Sequence, residues 1–437
     1  MLRSVRQAAL AFGSALQTAA VALVFIAATA VVTRPALAQT FSVIHYFSGG
    51  ADGAFPTASL TMDQAGRLYG TAVEGGTYQG PQCTDFGCGV VFRMTHSSSG
   101  WVVTPVYTFP GSPTNGIGPY APVTVGPDGT IYGTTGAGPG CYDGCGVVYR
   151  LTPPPTFCRT PLCPWNETVI HEFTGQGDGE APGRAGVTFD SAGNIYGTTT
   201  QGGAYGNGIV YKLTPSGNSW TETVIYSFVG AGDGAQPQSG VILDSAGNLY
   251  GTTFYGGDLS CDFSQGCGTV FELTPSGSGW TETTLYTFEM SNNIGNFPRG
   301  GLVFDASGNL FGTTPEGGTH DGTVYELSPS NGSWTATALQ QFMGNGGPLS
   351  GLTMDAAGNL YGTTTASGAY YQGSVFELKK QAGGWQFTSL HDFDITDGDH
   401  PEGGVILDSS GNIFGTTSQG GAGSCYAGCG VIFEITP

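Results

Sequence analysis

A ten-residue segment, seen at residues 244–253 as Asp-Ser-Ala-Gly-Asn-Leu-Tyr-Gly-Thr-Thr, recurs seven times along this chain. Its aromatic residue falls at Tyr69, Tyr132, Tyr196, Tyr250, Phe311, Tyr361 and Phe414, with spacings of 63, 64, 54, 61, 50 and 53 residues. A repeat of that length exceeds the common helical repeats and lies in the range of propeller blades, units that cannot bury their apolar faces alone. The Asp-x-x-Gly-Asn core reads as a tight hairpin turn. Asp bonds the turn's own backbone, while Gly and Asn tolerate the positive φ such a turn demands.

Each copy sits in a larger unit of four strand-like runs, which in the fourth unit are residues 240–243, 248–253, 268–273 and 280–288. Gly, Pro, Ser and Asp punctuate the joints, and no window carries a helical apolar stripe. The unit reads as a four-stranded antiparallel meander. The seventh copy stops after its third strand, whereas residues 39–47, ending Val-Ile-His-Tyr-Phe, match the fourth-strand ends at Phe228 and Phe288. Pairing that N-terminal strand with the last blade leaves no open seam. The fold expected is all-β: a seven-bladed β-propeller over 39–437, with units at about 48–109, 110–173, 174–228, 229–288, 289–342, 343–393 and 394–437.

Composition supports a folded, exported chain. Its 76 glycines argue against a helical fold, while 25 Phe, 20 Tyr and 6 Trp supply apolar surface for a core. Residues 1–38 read as a signal peptide: Arg3 and Arg6, an apolar run from Ala19 to Val32, then Ala36-Leu37-Ala38 before a cleavage at Gln39. Removing them takes away three arginines and no acid, moving the formal charge from −20 to −23. So acidic a chain excludes nucleic acid and anionic membrane surfaces as partners, since neutralising phosphates needs a basic surface. No membrane insertion is expected after cleavage.

The Gly-Asn-Leu-Tyr-Gly-Thr-Thr copies, the Gly-Thr-Val-Phe-Glu-Leu strand (residues 268–273) and the Trp-x-x-x-x-Leu-Tyr-x-Phe strand (residues 280–288) resemble the GloVer tandem repeat of bacterial extracellular proteins. The resemblance covers all of the chain after residue 38. It implies an exported, surface-associated protein and carries no established reaction or catalytic residues. Members often end in a sorting anchor; the ending Phe-Glu-Ile-Thr-Pro does not match one, so free secretion is the expectation, with the periplasm as the alternative.

The ten cysteines fall into five close pairs, Cys83/Cys88, Cys141/Cys145, Cys158/Cys163, Cys261/Cys267 and Cys425/Cys429. An even count in an exported chain reads as local disulfides rather than zinc, because no pair has Cys-x-x-Cys spacing. Parity puts the turns between strands two and three on the face that receives the inter-blade connections. Four of the pairs lie in those turns, along with Tyr78, Asp85, Phe86, Tyr142, Asp143, Tyr255, Asp262, Phe263 and Tyr426. Loops on a rigid scaffold are where binding resides, and these nine are the candidate ligand-face residues; the plainer alternative is that they pack their own loops. Asp52-Gly53, Asp178-Gly179, Asp233-Gly234 and Asp397-Gly398 recur in the connections and suggest a carboxylate ring near the channel. Asn115, Asn296 and Asn345 stand near the corresponding places, no calcium-loop spacing is present, and turn formation is the preferred reading.

Nothing reads as catalysis. All six tryptophans, Trp101, Trp165, Trp220, Trp280, Trp334 and Trp385, begin fourth strands and read as packing. His45, His171 and His391 share a position held elsewhere by Tyr107, Tyr226, Tyr286 and Gln340, an exchange foreign to a general base. His320 and His400 fall on the loop face and read as exposed. A third-strand slot changes from Arg93, Arg150 and Lys212 to Glu272, Glu326, Glu377 and Glu434, read as a solvated edge. No nucleophile elbow or zinc helix is present, so neither cofactor nor metal is expected. The function read from the sequence is a monomeric, non-enzymatic scaffold that displays a binding face to a polysaccharide or surface protein. A carbohydrate-active hydrolase or lyase and a purely structural disc are the alternatives.

Overall fold

The computed structural model describes residues 39–437 except 78–82, 85, 112–114, 127, 139–144, 155–164, 183, 185, 262–263, 278, 318–320 and 345. Among the described residues twenty-eight strands form seven four-stranded sheets, the blades of a β-propeller. Blade four runs Ile242–Leu243, Leu249–Thr253, Thr269–Ser276 and Gly279–Thr287, antiparallel throughout. Strand one is two residues long in every blade, shorter than the sequence pattern suggests. Among the described residues no helix is long and apolar enough to cross a membrane.

The seventh sheet has the order Thr40–Tyr46, Val431–Thr436, Ile413–Thr417, Ile406–Leu407, so the N-terminal segment supplies the last blade's outer strand. Phe47 N donates to Gly430 O at 3.1 Å, and Phe41 stacks on His391 with ring centroids 3.5 Å apart. Phe41 joins the core between blades six and seven, while Ile44 and Phe47 join the one between blades seven and one. One strand thereby covers both faces of the closing blade.

Seven hydrophobic clusters lie at the seven blade junctions. Alternation along each strand produces them: Leu249 packs toward blade three and the adjacent Tyr250 toward blade five. Each outer-strand Trp meets the motif aromatic of the preceding blade, as in Trp165 with Tyr69, Trp220 with Tyr132 and Trp385 with Phe311. A β-bulge recurs in the ladder of strands three and four, at Val270/Phe271 in blade four; the sequence pattern carries no sign of it.

The recurring motif has three jobs. Its Asp is an acceptor for the turn: Asp244 Oδ1 accepts the N–H groups of Ala246 and Asn248 at 2.8 and 2.9 Å. The expectation for Asn is corrected here. The turn glycine takes the positive φ, 86° at Gly247, while Asn248 keeps a negative φ and donates Nδ2 to Asp244 Oδ2 at 2.8 Å. The second job falls to the Gly of Tyr-Gly-Thr. A Cβ on Gly251 would meet the ring of Phe271, its cross-strand partner, at 2.5 Å, so the aromatic of strand three lies flat on bare backbone.

The third job belongs to the first Thr after that glycine, which hydrogen-bonds a backbone carbonyl of the next blade. Thr71 reaches Ala121 O, Thr198 Ser239 O, Thr252 Gly300 O, Thr313 Ser350 O, Thr363 Gly403 O and Thr416 Ala58 O, at 2.7–3.3 Å. The motif is therefore an inter-blade latch as well as a turn.

Candidate binding site at the channel mouth

The short first strands of all seven blades surround a cavity of about 380 Å³. Before each of them the sequence reads Pro, one variable residue, then Ala, Ser or Gly; the third unit has one further residue between Pro182 and Arg184. The residue ahead of the proline is left-handed at Phe55, Ala181, Gln236, Phe297 and His400, with φ of 53–58°, and at Gly118 with 65°. That conformation costs a side-chain-bearing residue about 1–3 kcal/mol and persists only where its surroundings hold it. The previous blade supplies the hold. Phe55 N donates to Cys429 O, Ala181 N to Cys145 O, Gln236 N to Asn207 O, Phe297 N to Cys267 O and His400 N to Gln372 O, at 2.8–3.1 Å.

The disulfides lie beneath these joints. Cys83–Cys88, Cys261–Cys267 and Cys425–Cys429 are closed as the spacing predicted, and Cys145 is disulfide-bonded. Cys141, Cys158 and Cys163 lie outside the described residues. The carbonyl of the second cysteine carries the next blade's left-handed residue in all four such loops, since Gly118 N donates to Cys88 O.

Each joint delivers one side chain to the cavity: Thr57, Tyr120, Arg184, Gln238, Arg299, Leu349 and Glu402 in blade order. Arg184 Nη1 donates to Glu402 Oε2 at 3.2 Å, joining blade three to blade seven across the mouth. Arg299 Nε donates to Gln238 Oε1 at 2.8 Å. The guanidinium of Arg184 lies over the Tyr120 ring, 5.9 Å from its centroid, and that of Arg299 over Phe254 at 5.4 Å. Burial and the Arg184 cation hold Arg299 below the ordinary guanidinium value, against the opposing pull of Glu402 and Glu316. Beside the mouth a second cavity of about 430 Å³ is lined by Glu316, Asp321 and Leu349 among others.

Of the candidate ligand-face residues, Tyr78, Asp85, Tyr142, Asp143, Asp262 and Phe263 lie outside the described residues. Phe86 packs edge-on against Phe55 at 6.0 Å, within its own repeat unit. Tyr255 packs edge-on against the stacked pair Phe254 and Phe297. Tyr426 stands fully exposed at the tip of its clipped loop. The mouth residues themselves were not singled out in the sequence. Their signal is the Pro-x-small frame, in which the flanks repeat and the middle changes.

The Asp-Gly residues sit elsewhere than expected, at the outer strand rather than near the channel. Asp52 Oδ2 accepts Ser48 N at 3.0 Å and meets His45 Nε2 at 3.0 Å; Asp397 Oδ2 meets His391 Nε2 at 2.8 Å, and Tyr226 OH donates to Asp233 Oδ2 at 2.8 Å. These carboxylates tie a connection to the end of strand four. In blade five the matching partner is Asn292, which donates to Tyr286 OH at 2.9 Å, and not Asn296; Asn345 lies outside the described residues. Among the described residues no three His, Cys, Asp or Glu side chains group as a metal site. His400 Nδ1 contacts Asp399 Oδ1 at 2.6 Å, and His320 lies outside the described residues. The third-strand acids bond rings rather than water alone: Tyr250 OH donates to Glu272 Oε1 at 2.8 Å and Trp101 Nε1 to Glu434 Oε2 at 3.2 Å.

Residues 162–347 and 262–437 match the model of the Gloeobacter/Verrucomicrobia repeat. No curated protein matches the sequence. Among solved structures, a Bacteroides uniformis protein described as a 6-phosphogluconolactonase is similar at 11% identity and TM-score 0.48, over 77% of this chain and 84% of its own. A Thermus thermophilus protein described as an oxidoreductase (glucose dehydrogenase) is similar at 14% and 0.41, over 91% and 99%. A Dyadobacter fermentans protein of unknown function is similar at 11% and 0.45, over 91% and 98%. Likeness at this level says nothing about chemistry.

Proposed function

The chain belongs to the Gloeobacter/Verrucomicrobia repeat family, and on that footing we propose that it is an exported, non-enzymatic propeller that binds a polysaccharide at its channel mouth. The observation that carries this reading is the contrast within the repeat. Latch, turn and proline recur from blade to blade, while the side chain delivered to the mouth is Thr, Tyr, Arg, Gln, Arg, Leu or Glu. A spacer has no need of such variety around its channel mouth, whereas a binding surface does. Aromatic, amide, hydroxyl and charged groups together suit the faces and hydroxyls of sugars. Closed disulfides fit an oxidising compartment outside the cytoplasm.

A glycan array probed with the purified protein, followed by an assay for new reducing ends, tests the reading. Binding without turnover is expected. Turnover abolished by Glu316→Gln or Asp321→Asn would instead assign a hydrolase or lyase to the second cavity, which both carboxyl residues line. No binding to any glycan would leave a structural disc.

A further inference from the structure

The ligand's chemistry is written in the charge of the mouth. After residue 38 the chain holds nine lysines and arginines against 32 acids, yet two of the nine, Arg184 and Arg299, face one cavity. They act on each other electrostatically, and like charges are not brought together in a partly buried place without compensation. Compensation from the protein is incomplete. Arg184 gives one bond to Glu402, and Arg299 spends only Nε, on the neutral Gln238. Among the described residues no carboxylate forms an ion pair with Arg299. Its terminal N–H pair has the fork geometry that matches a planar carboxylate, and the cation–π contact with Phe254, 5.4 Å from the ring centroid, spends none of that fork's donors on an acceptor.

We propose that the mouth takes an acidic saccharide, with the carboxylate of a uronic acid unit on the Arg299 fork and the same sugar's ring near Tyr120. This rests on the reading of the mouth as a glycan site. A monoanion fits better than a phosphate dianion, because Glu402 and Glu316 already offset part of the two cations. Tyr120 is exposed, but Arg184 lies over its ring and the ring packs close to Gly118 and Gly136, so what it offers the sugar is an apolar edge. Gln238 and Glu402 flank the two arginines and can meet ring hydroxyls. Glu402 offsets the charge of both arginines, by its bond to Arg184 and by its action on Arg299, so removing its charge favours the anion.

The test is calorimetric titration of the whole protein with trigalacturonate and with its neutral methyl ester. Expected are binding of the acid at least tenfold tighter than the ester, at least a tenfold loss in Arg299→Gln, partial loss in Arg299→Lys and tighter binding in Glu402→Gln. A role in folding alone would not give opposite signs for Arg299→Gln and Glu402→Gln, and a melting curve for each variant identifies one that has not folded. Arg299→Lys decides the question if Arg299→Gln does not fold. Equal binding of acid and ester, or binding indifferent to both Arg299 variants, overturns the anion site while the glycan reading stands. Failure of every glycan, acidic or neutral, overturns both.

Discussion

Thr416 Oγ1 donates to Ala58 O at 3.0 Å across 358 positions of sequence, which closes the ring of latches on itself. The bond is buried, and loss of the hydroxyl leaves the carbonyl without that donor. Thr416→Val is expected to cost about 1–3 kcal/mol in urea unfolding. Thr363→Val, the same latch between blades six and seven, should cost about as much. A much larger loss at Thr416 alone would mean that the closing junction is not equivalent to the others.

The N-terminal strand is expected to be indispensable. Without residues 39–47 the edge of Val431–Thr436 loses its partner, and Phe41 and Phe47 leave two cores at once. Light scattering should then show oligomers or aggregates larger than the species the intact chain forms. A monodisperse truncated protein with unchanged melting would contradict the closure.

Stability should respond to pH at Glu222. Burial, with Asp178 adding to it, pushes its carboxyl up to about 7, and its Oε1 has no hydrogen-bond partner among the described residues. The native state then holds a proton that the unfolded chain releases in the ordinary glutamate range. This contribution is full below that range, is lost as pH rises to about 7, and is flat beyond. His171, lowered by burial and 4.0 Å from Asp178, contributes with opposite sign, losing stability as pH falls. Comparing Glu222→Gln with its parent isolates the first effect: a higher melting temperature is expected at pH 8 and none at pH 4.

Tyr211 is fully buried over Gly197, and its hydroxyl has no partner among the described residues, whereas Phe271 stands at the same register in blade four. Burial pushes its phenol far up. Tyr211→Phe removes an unsatisfied polar group and should raise stability by about 1 kcal/mol, read as a shifted denaturation midpoint. Destabilisation would mean that the hydroxyl has a partner.

Replacing Cys261 and Cys267 by Ser should act locally. So short a loop supports a loss of at most about 2 kcal/mol, whereas Phe297 N rests on the carbonyl of Cys267. Hydrogen exchange at the Phe297 amide should accelerate at least tenfold, with the amides of Leu249–Thr253 unaffected.

Seven copies, turns, strands and the need for a closing strand were legible in the sequence because each depends on contacts within a few residues or on period-two alternation. Asp244 reaches only to Asn248, and Leu249 and Tyr250 diverge by parity alone. The mouth was not legible. Arg184 and Glu402 are 218 positions apart, and nothing near either residue announces the other. Their meeting depends on the angle between successive blades, summed around the ring, and on left-handed joints that the preceding blade must hold. Local hydrogen bonding determines the repeat, while closure of the whole ring decides which side chains share the axis.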